Sequence, residues 1–201
     1  MKIIYIFVVA LFPTLASAQN PSRTLIRNIN VVDVRSGKLL PGSNVLVEGK
    51  LIRDVSKKLM KLPSGTEIID GTGKYLIPGL TDGHVHFFQS GGLYTRPDAL
   101  NLTNVVSYRD EIENGKRALP DYFQRYLRMG ITTIADVGGP MRNFSIRDSI
   151  AAQHPSPDIL VTGPLFSMVQ NEETELGADI PIVKISTIEA ADSLLNIMLP
   201  L

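Results

Sequence analysis

The chain has 201 residues, 44% of them hydrophobic, with 20 basic residues against 20 acidic ones and no cysteine. That balance fits a globular protein with an apolar core and excludes a basic nucleic-acid surface or a charged tail. The lack of cysteine excludes disulfides, a lipid-bearing cysteine at a processing site and thiolate metal ligands, which leaves His, Asp, Glu or a modified Lys for any metal.

The first residues read as a targeting segment rather than as fold. Lys2 precedes an apolar run, Ile3 to Leu15, interrupted by Pro13 and Thr14, and Ala16-Ser17-Ala18 supplies a small-x-small cleavage pattern. The run is shorter than the roughly 20 residues of a spanning helix. The expectation is a signal peptide over 1–18, an exported protein that is periplasmic or secreted, and no stable membrane anchor after cleavage. An uncleaved anchor is the alternative.

Residues 19–77 read as a small antiparallel β-unit. Strands are predicted at Thr24–Val32, Asn44–Val47, Leu51–Val55 and Glu67–Ile69. Turns fall at Asp33–Gly37, Pro41-Gly42-Ser43, Glu48-Gly49-Lys50, Pro63-Ser64-Gly65 and Asp70–Gly73, where Gly, Pro, Asn and Asp cluster. A domain boundary is placed near Ile77-Pro78-Gly79.

Residues 78–201 change pattern. A strand at about 77–86 leads into an irregular stretch, 87–118. A helix follows, with Leu119, Tyr122, Phe123, Tyr126 and Leu127 on one face and Gly130 closing it. A strand at Ile131–Val137, a helix at Ser145–Gln153 stopped by Pro155, and a strand at Asp158–Thr162 come next. Residues 164–185 read as mostly loop. A last helix is announced by the capping box Ser186-x-x-Glu189 and striped by Ala191, Leu194, Leu195 and Met198. The alternation implies parallel strands joined by helical crossovers.

The chemistry concentrates at Leu76-Ile77-Pro78-Gly79-Leu80-Thr81-Asp82-Gly83-His84-Val85-His86. Two residues apart on a strand, His84 and His86 project to one face and Val85 to the other. Two imidazoles on one face can chelate a divalent ion, and imidazole suits Zn, Cu, Fe and Ni.

This run, with Met129–Gly139 after it, resembles the metal-dependent amidohydrolase superfamily, on the side of its imidazolonepropionase-like and Xaa-Pro-dipeptidase-like branch. The family pattern PGL-x-D-x-H-x-H has every named position present here. The resemblance implies a (β/α)₈ barrel preceded by part of a β-sandwich, a divalent metal, zinc first, as one or two ions, and His84 and His86 as ligands. It also implies hydrolysis of C–N bonds in a small-molecule or peptide-like substrate, of the amide or cyclic-amide kind. The remaining ligands of the family are a bridging Lys or Glu, two later histidines and a proton-shuttling Asp, none with a counterpart here. The catalytic Asp is expected beyond Leu201, so no catalytic residue is assigned within the chain. A barrel takes roughly 250 residues and eight strands, whereas 115 residues follow His86. About three barrel strands are legible. The expectation is therefore an N-terminal portion of a hydrolase, inactive alone; the alternative is a non-catalytic secreted module or a decayed remnant.

Other residues divide between functional and structural roles. Asp82 shares the histidine face and is either an acceptor for a ligand imidazole or a residue that holds local backbone. Asp136 ends its strand and is read as shaping the Gly138-Gly139 loop. Lys184 is rejected as a bridging lysine, because the helix after it precedes the strand that carries that lysine in the family. His154 is read as a solvated helix-end residue. Tyr94, Arg96 and Tyr108 are placed in the loop after the first barrel strand, as surface residues in preference to substrate contacts.

Overall fold

The computed structural model describes residues 22–58, 61–89, 102–169 and 180–200. Residues 1–18, expected from the sequence to be a signal peptide, and Tyr94, Arg96 and Leu201 lie outside them. The chain divides into two compact units, up to residue 78 and from 79 onward.

In the first unit, β1 (Arg23–Asp33), β2 (Lys38–Glu48) and β3 (Leu51–Ser56) form an antiparallel meander. β4 (Glu67–Asp70) and β5 (Tyr75–Leu76) join β1 in parallel. The unit is thus mixed, in place of the all-antiparallel one that the strand spacing predicts. The difference lies in the return from β3, which brings the chain back along β1 instead of reversing beside β3. Pro41-Gly42-Ser43 is a turn by composition but lies within β2. There the register with β1 slips, Gly42 takes φ +60°, and its N–H donates to Asn30 Oδ1 at 3.3 Å. Such a bulge absorbs the proline without ending the strand. Leu25, Ile29 and Val45 are the buried apolar residues of this sheet.

The second unit carries a parallel three-stranded sheet in the order β6-β7-β8, built from β6 (Leu80–Val85), β7 (Ile131–Asp136) and β8 (Asp158–Val161). Helix α1 (Tyr108–Arg128) connects β6 to β7, and α2 (Arg142–Gln153) connects β7 to β8. The alternating parallel arrangement read from the sequence is present. Val85, Phe87, Leu119, Phe123, Ile134, Ile146 and Ile159 form the core, and the Phe87 and Phe123 rings meet edge-on at 5.7 Å between centroids.

Helix α1 is longer than the amphipathic pattern suggests. Asn114-Gly115 and Pro120 look like breakers, yet the helix starts at Tyr108, which is therefore not in a loop. Ser107 caps it by accepting the Asp110 N–H at 3.1 Å. The buried residues Glu111, Gly115, Leu119 and Phe123 recur every four positions, so one continuous face is covered along most of its length. Gly130 closes the helix with φ +80°, as its position implies.

Two short strands lie within residues 164–185. β9 (Leu165–Ser167) and β10 (Ile182–Lys184) pair in parallel as a separate two-stranded sheet. The last helix, α3 (Ile188–Met198), is capped one residue later than the sequence pattern indicates: Thr187 accepts the Ala190 N–H at 3.1 Å. Thr187 takes the cap because its extended backbone aims Oγ1 at that N–H. Among the described residues no helix is long and apolar enough to cross a membrane.

Candidate metal centre

β6 delivers the two histidines by simple alternation. Val85 and Phe87 are buried against α1, while His84 is exposed and His86, one residue beyond the strand, is half-buried. The two imidazoles lie 5.3 Å apart between centroids, with planes at 90°. Among the described residues no group of three or more His, Asp or Glu side chains converges to hold a metal ion. His84 and His86 therefore stand together as a pair of donors.

Their surroundings differ. His86 Nδ1 is 2.7 Å from the carbonyl oxygen of Gly138. A carbonyl only accepts, so Nδ1 carries the proton, and the lone pair of the neutral ring is left on Nε2. Asp136 Oδ1 lies 3.6 Å from the same Nδ1. Asp136 is fully buried; its Oδ2 accepts from Asn143 Nδ2 at 2.5 Å and its Oδ1 from the Gly138 N–H at 3.3 Å. Burial pushes the Asp136 carboxyl above the usual carboxylate range, opposed by the Asn143 and Gly138 hydrogen bonds and by His86. The loop-shaping role read for Asp136 is thus present as a hydrogen bond. Both oxygens of Asp136 are engaged and its side chain has no exposure. Asn143 and the Gly138 carbonyl escape the sequence reading. Asp136 and Asn143 lie seven positions apart, across a loop and into a new helix, so no local periodicity links them.

Asp82 accepts the His84 backbone N–H at 3.2 Å, which is the backbone-holding role of the two considered. A cleft of roughly 500 Å³ runs past Asp82, His84 and His86 to Tyr122, Arg125 and Tyr126 of α1. Burial, and then the Asp82 charge, raises the Tyr126 phenol. His86 also meets Phe88 edge-on at 6.0 Å, and the Arg142 guanidinium sits 5.9 Å from the Phe88 ring centre. Lys184 is exposed on β10, in a different sheet from His84. His154 is exposed at the C-cap of α2, where its N–H donates to the Ile150 carbonyl at 2.9 Å.

No family model matches the chain. Among curated proteins it is 36% identical over 72 residues to adenine deaminase 3 of Rhizobium meliloti, a match covering 35% of this chain and 12% of that protein. It is 42% identical over 77 residues to a dihydroorotase of Carboxydothermus hydrogenoformans, covering 38% of this chain and 17% of that protein. Solved structures with the same fold include a prolidase complexed with N-methylphosphonate-L-proline, at 18% identity, TM-score 0.69 and coverage of 89% of this chain and 44% of that one. A Xaa-Pro dipeptidase with methionine in its active site aligns at 22% identity and TM-score 0.64, covering 87% of this chain and 44% of that one. The chain thus spans less than half of these structures and under a fifth of these curated relatives. These partial matches agree with the resemblance carried by its Pro-Gly-Leu-Thr-Asp-Gly-His-Val-His run.

Proposed function

We propose that the full-length protein is an exported, metal-dependent hydrolase of C–N bonds in peptide-like or cyclic-amide substrates, with His84 and His86 as two of its metal ligands. The observation that carries this reading is the His86 ring. Its Nδ1–H is engaged by the Gly138 carbonyl at 2.7 Å, which leaves Nε2 as the lone-pair donor of a ring whose centroid is 5.3 Å from that of His84. A ligating histidine almost always has its other ring nitrogen hydrogen-bonded in this way, so the residues present fit a divalent ion. The relatives named as an adenine deaminase and a dihydroorotase, and the neighbours named as prolidases, support C–N hydrolysis as the reaction class.

When bound, a divalent ion of this kind polarises a carbonyl and lowers the pKa of a coordinated water toward about 7. This chain's own residues contribute position. His84 and His86 hold fixed places because β6 is anchored on its opposite face by Val85 and Phe87. In this reading the sheet β6-β7-β8 begins a (β/α)₈ barrel, the first unit is part of a β-sandwich, residues 1–18 direct export, and the proton-shuttling Asp lies beyond Leu201. The 201-residue chain alone, with two donors, is inactive.

The test is hydrolysis by full-length protein of a panel of Xaa-Pro dipeptides and cyclic amides, with and without Zn²⁺. We expect Zn²⁺-dependent turnover that His84→Ala abolishes, and none from residues 1–201 alone. Zn²⁺-independent turnover, or full activity in His84→Ala, overturns the proposal. A full-length protein without turnover or Zn²⁺ binding supports a non-catalytic module or decayed remnant.

A further inference from the structure

Asp136 and Asn143 are both fully buried and neither is a metal ligand in the reading above. Burying a carboxylate is costly without partners, and an apolar pair of similar volume would fill the same space. Asn143 adds a second cost, because its Oδ1 is buried without a hydrogen-bond partner. The amide is committed to Asp136 through Nδ2, at the expense of its own oxygen. Stability does not account for such a pair, whereas its position does.

The contacts run in series. Asn143 Nδ2 fixes one carboxylate oxygen of Asp136, the other oxygen accepts the Gly138 N–H, and the Gly138 carbonyl takes the His86 Nδ1 proton. Gly139 closes the arrangement: a Cβ there would collide with Asn143 Nδ2 and crowd Asp136 Oδ2 and Phe88 Cδ1. The loop is thereby held with the Gly138 carbonyl against one nitrogen of one imidazole.

We propose that Asp136 and Asn143 are positioning residues that set the tautomer and orientation of His86 through the Gly138 carbonyl. The tautomer follows from this geometry alone; its value for metal capture rests on the reading of His86 as a ligand. Outer partners of ligating histidines typically account for about 10–100-fold in metal affinity.

The experiment uses ¹⁵N-labelled full-length protein without metal, at a pH where His86 is neutral. Long-range ¹H–¹⁵N spectra of the imidazole report which nitrogen is protonated. Zn²⁺ affinity is measured separately by competition with a chelator. The unmodified protein should show protonated Nδ1 and bare Nε2. Asn143→Ala should release the ring into a mixture of tautomers and weaken Zn²⁺ binding about 10–100-fold. Asp136→Asn is the conservative control. It can still accept the Gly138 N–H, and a turned Asn143 amide offers its oxygen to the new side-chain N–H, so the Nδ1–H tautomer should survive. A mixed tautomer in the unmodified protein, or an unchanged tautomer in Asn143→Ala with its fold intact by backbone amide shifts, overturns the proposal. A tautomer that is fixed in the unmodified protein and lost in Asn143→Ala, with no Zn²⁺ uptake by either, supports the positioning role and overturns the metal reading instead.

Discussion

Replacing Phe123 by alanine tests whether α1 is what anchors the histidine strand. Phe123 is fully buried, and its ring meets Phe87 edge-on at 5.7 Å. Phe87 is the residue after His86, and Val85 precedes it in the same core. Truncating a fully buried phenylalanine costs about 3–5 kcal/mol in transfer and cavity terms. The lost aromatic pair, worth about 0.5–1.5 kcal/mol, falls within that spread. Neither Leu119 nor Ile134 can fill the space, since each is itself fully buried in place. Urea unfolding of the unmodified and Phe123→Ala proteins, followed by circular dichroism, measures the difference. Ile188→Ala serves as the comparison: Ile188 is 77% exposed, and its loss should stay within about 0.5 kcal/mol. A cost for Phe123→Ala below about 1 kcal/mol, well under the usual range for such a truncation, would refute the reasoning, because it would mean that the α1 face is not packed against the strand.

Gly139→Ala should destabilise by about 1–3 kcal/mol, the usual cost of overpacking, because its Cβ meets the Asn143 amide and the Asp136 carboxylate; thermal melts give the value, and an unchanged midpoint speaks against it. Glu48 should titrate below its ordinary value of 4.5, because the Arg23 hydrogen bond, 2.6 Å long, holds its carboxylate and Arg53 adds to it. A folded-state pKa that is depressed in this way contributes stability above the unfolded value and loses it as pH falls through the folded one. Carboxyl-carbon NMR follows the titration, Arg23→Gln should move the midpoint upward, and a midpoint at or above 4.5 in the unmodified protein contradicts the assignment.

Much of the second unit is legible in the sequence because it is written in local signals. β7 and β8 are short apolar runs between glycine and proline punctuation, and the central stripe of α1 repeats with the helical period. The N-terminal half of α1 is hidden because Gly115 and Pro120 look like breakers when read one at a time. Packing overrides them, since Gly115 is itself part of the buried stripe. The Ser107 cap, with Asp110 three residues on, is the signal that could have found it. The parallel return of β4 to β1 is not legible, because it depends on a pairing some 40 residues apart that no turn specifies. The histidines themselves are plain. The environment that distinguishes His86 from His84 is not, since it is assembled from a strand end, a loop carbonyl and the first turn of another helix.

The alternation along residues 84–87 has a consequence for how this segment can change. His84 and His86 share parity, and the buried Val85 and Phe87 share the other. A slip by one residue would drive both imidazoles toward Phe123 and turn an aliphatic and an aromatic side chain out in their place. The apolar contacts that select the correct register thus also decide which way the histidines face, so the donor pair is presented at no additional conformational choice. Single substitutions can retune this segment, whereas inserting or deleting one residue between Leu80 and His86 removes core and donors together.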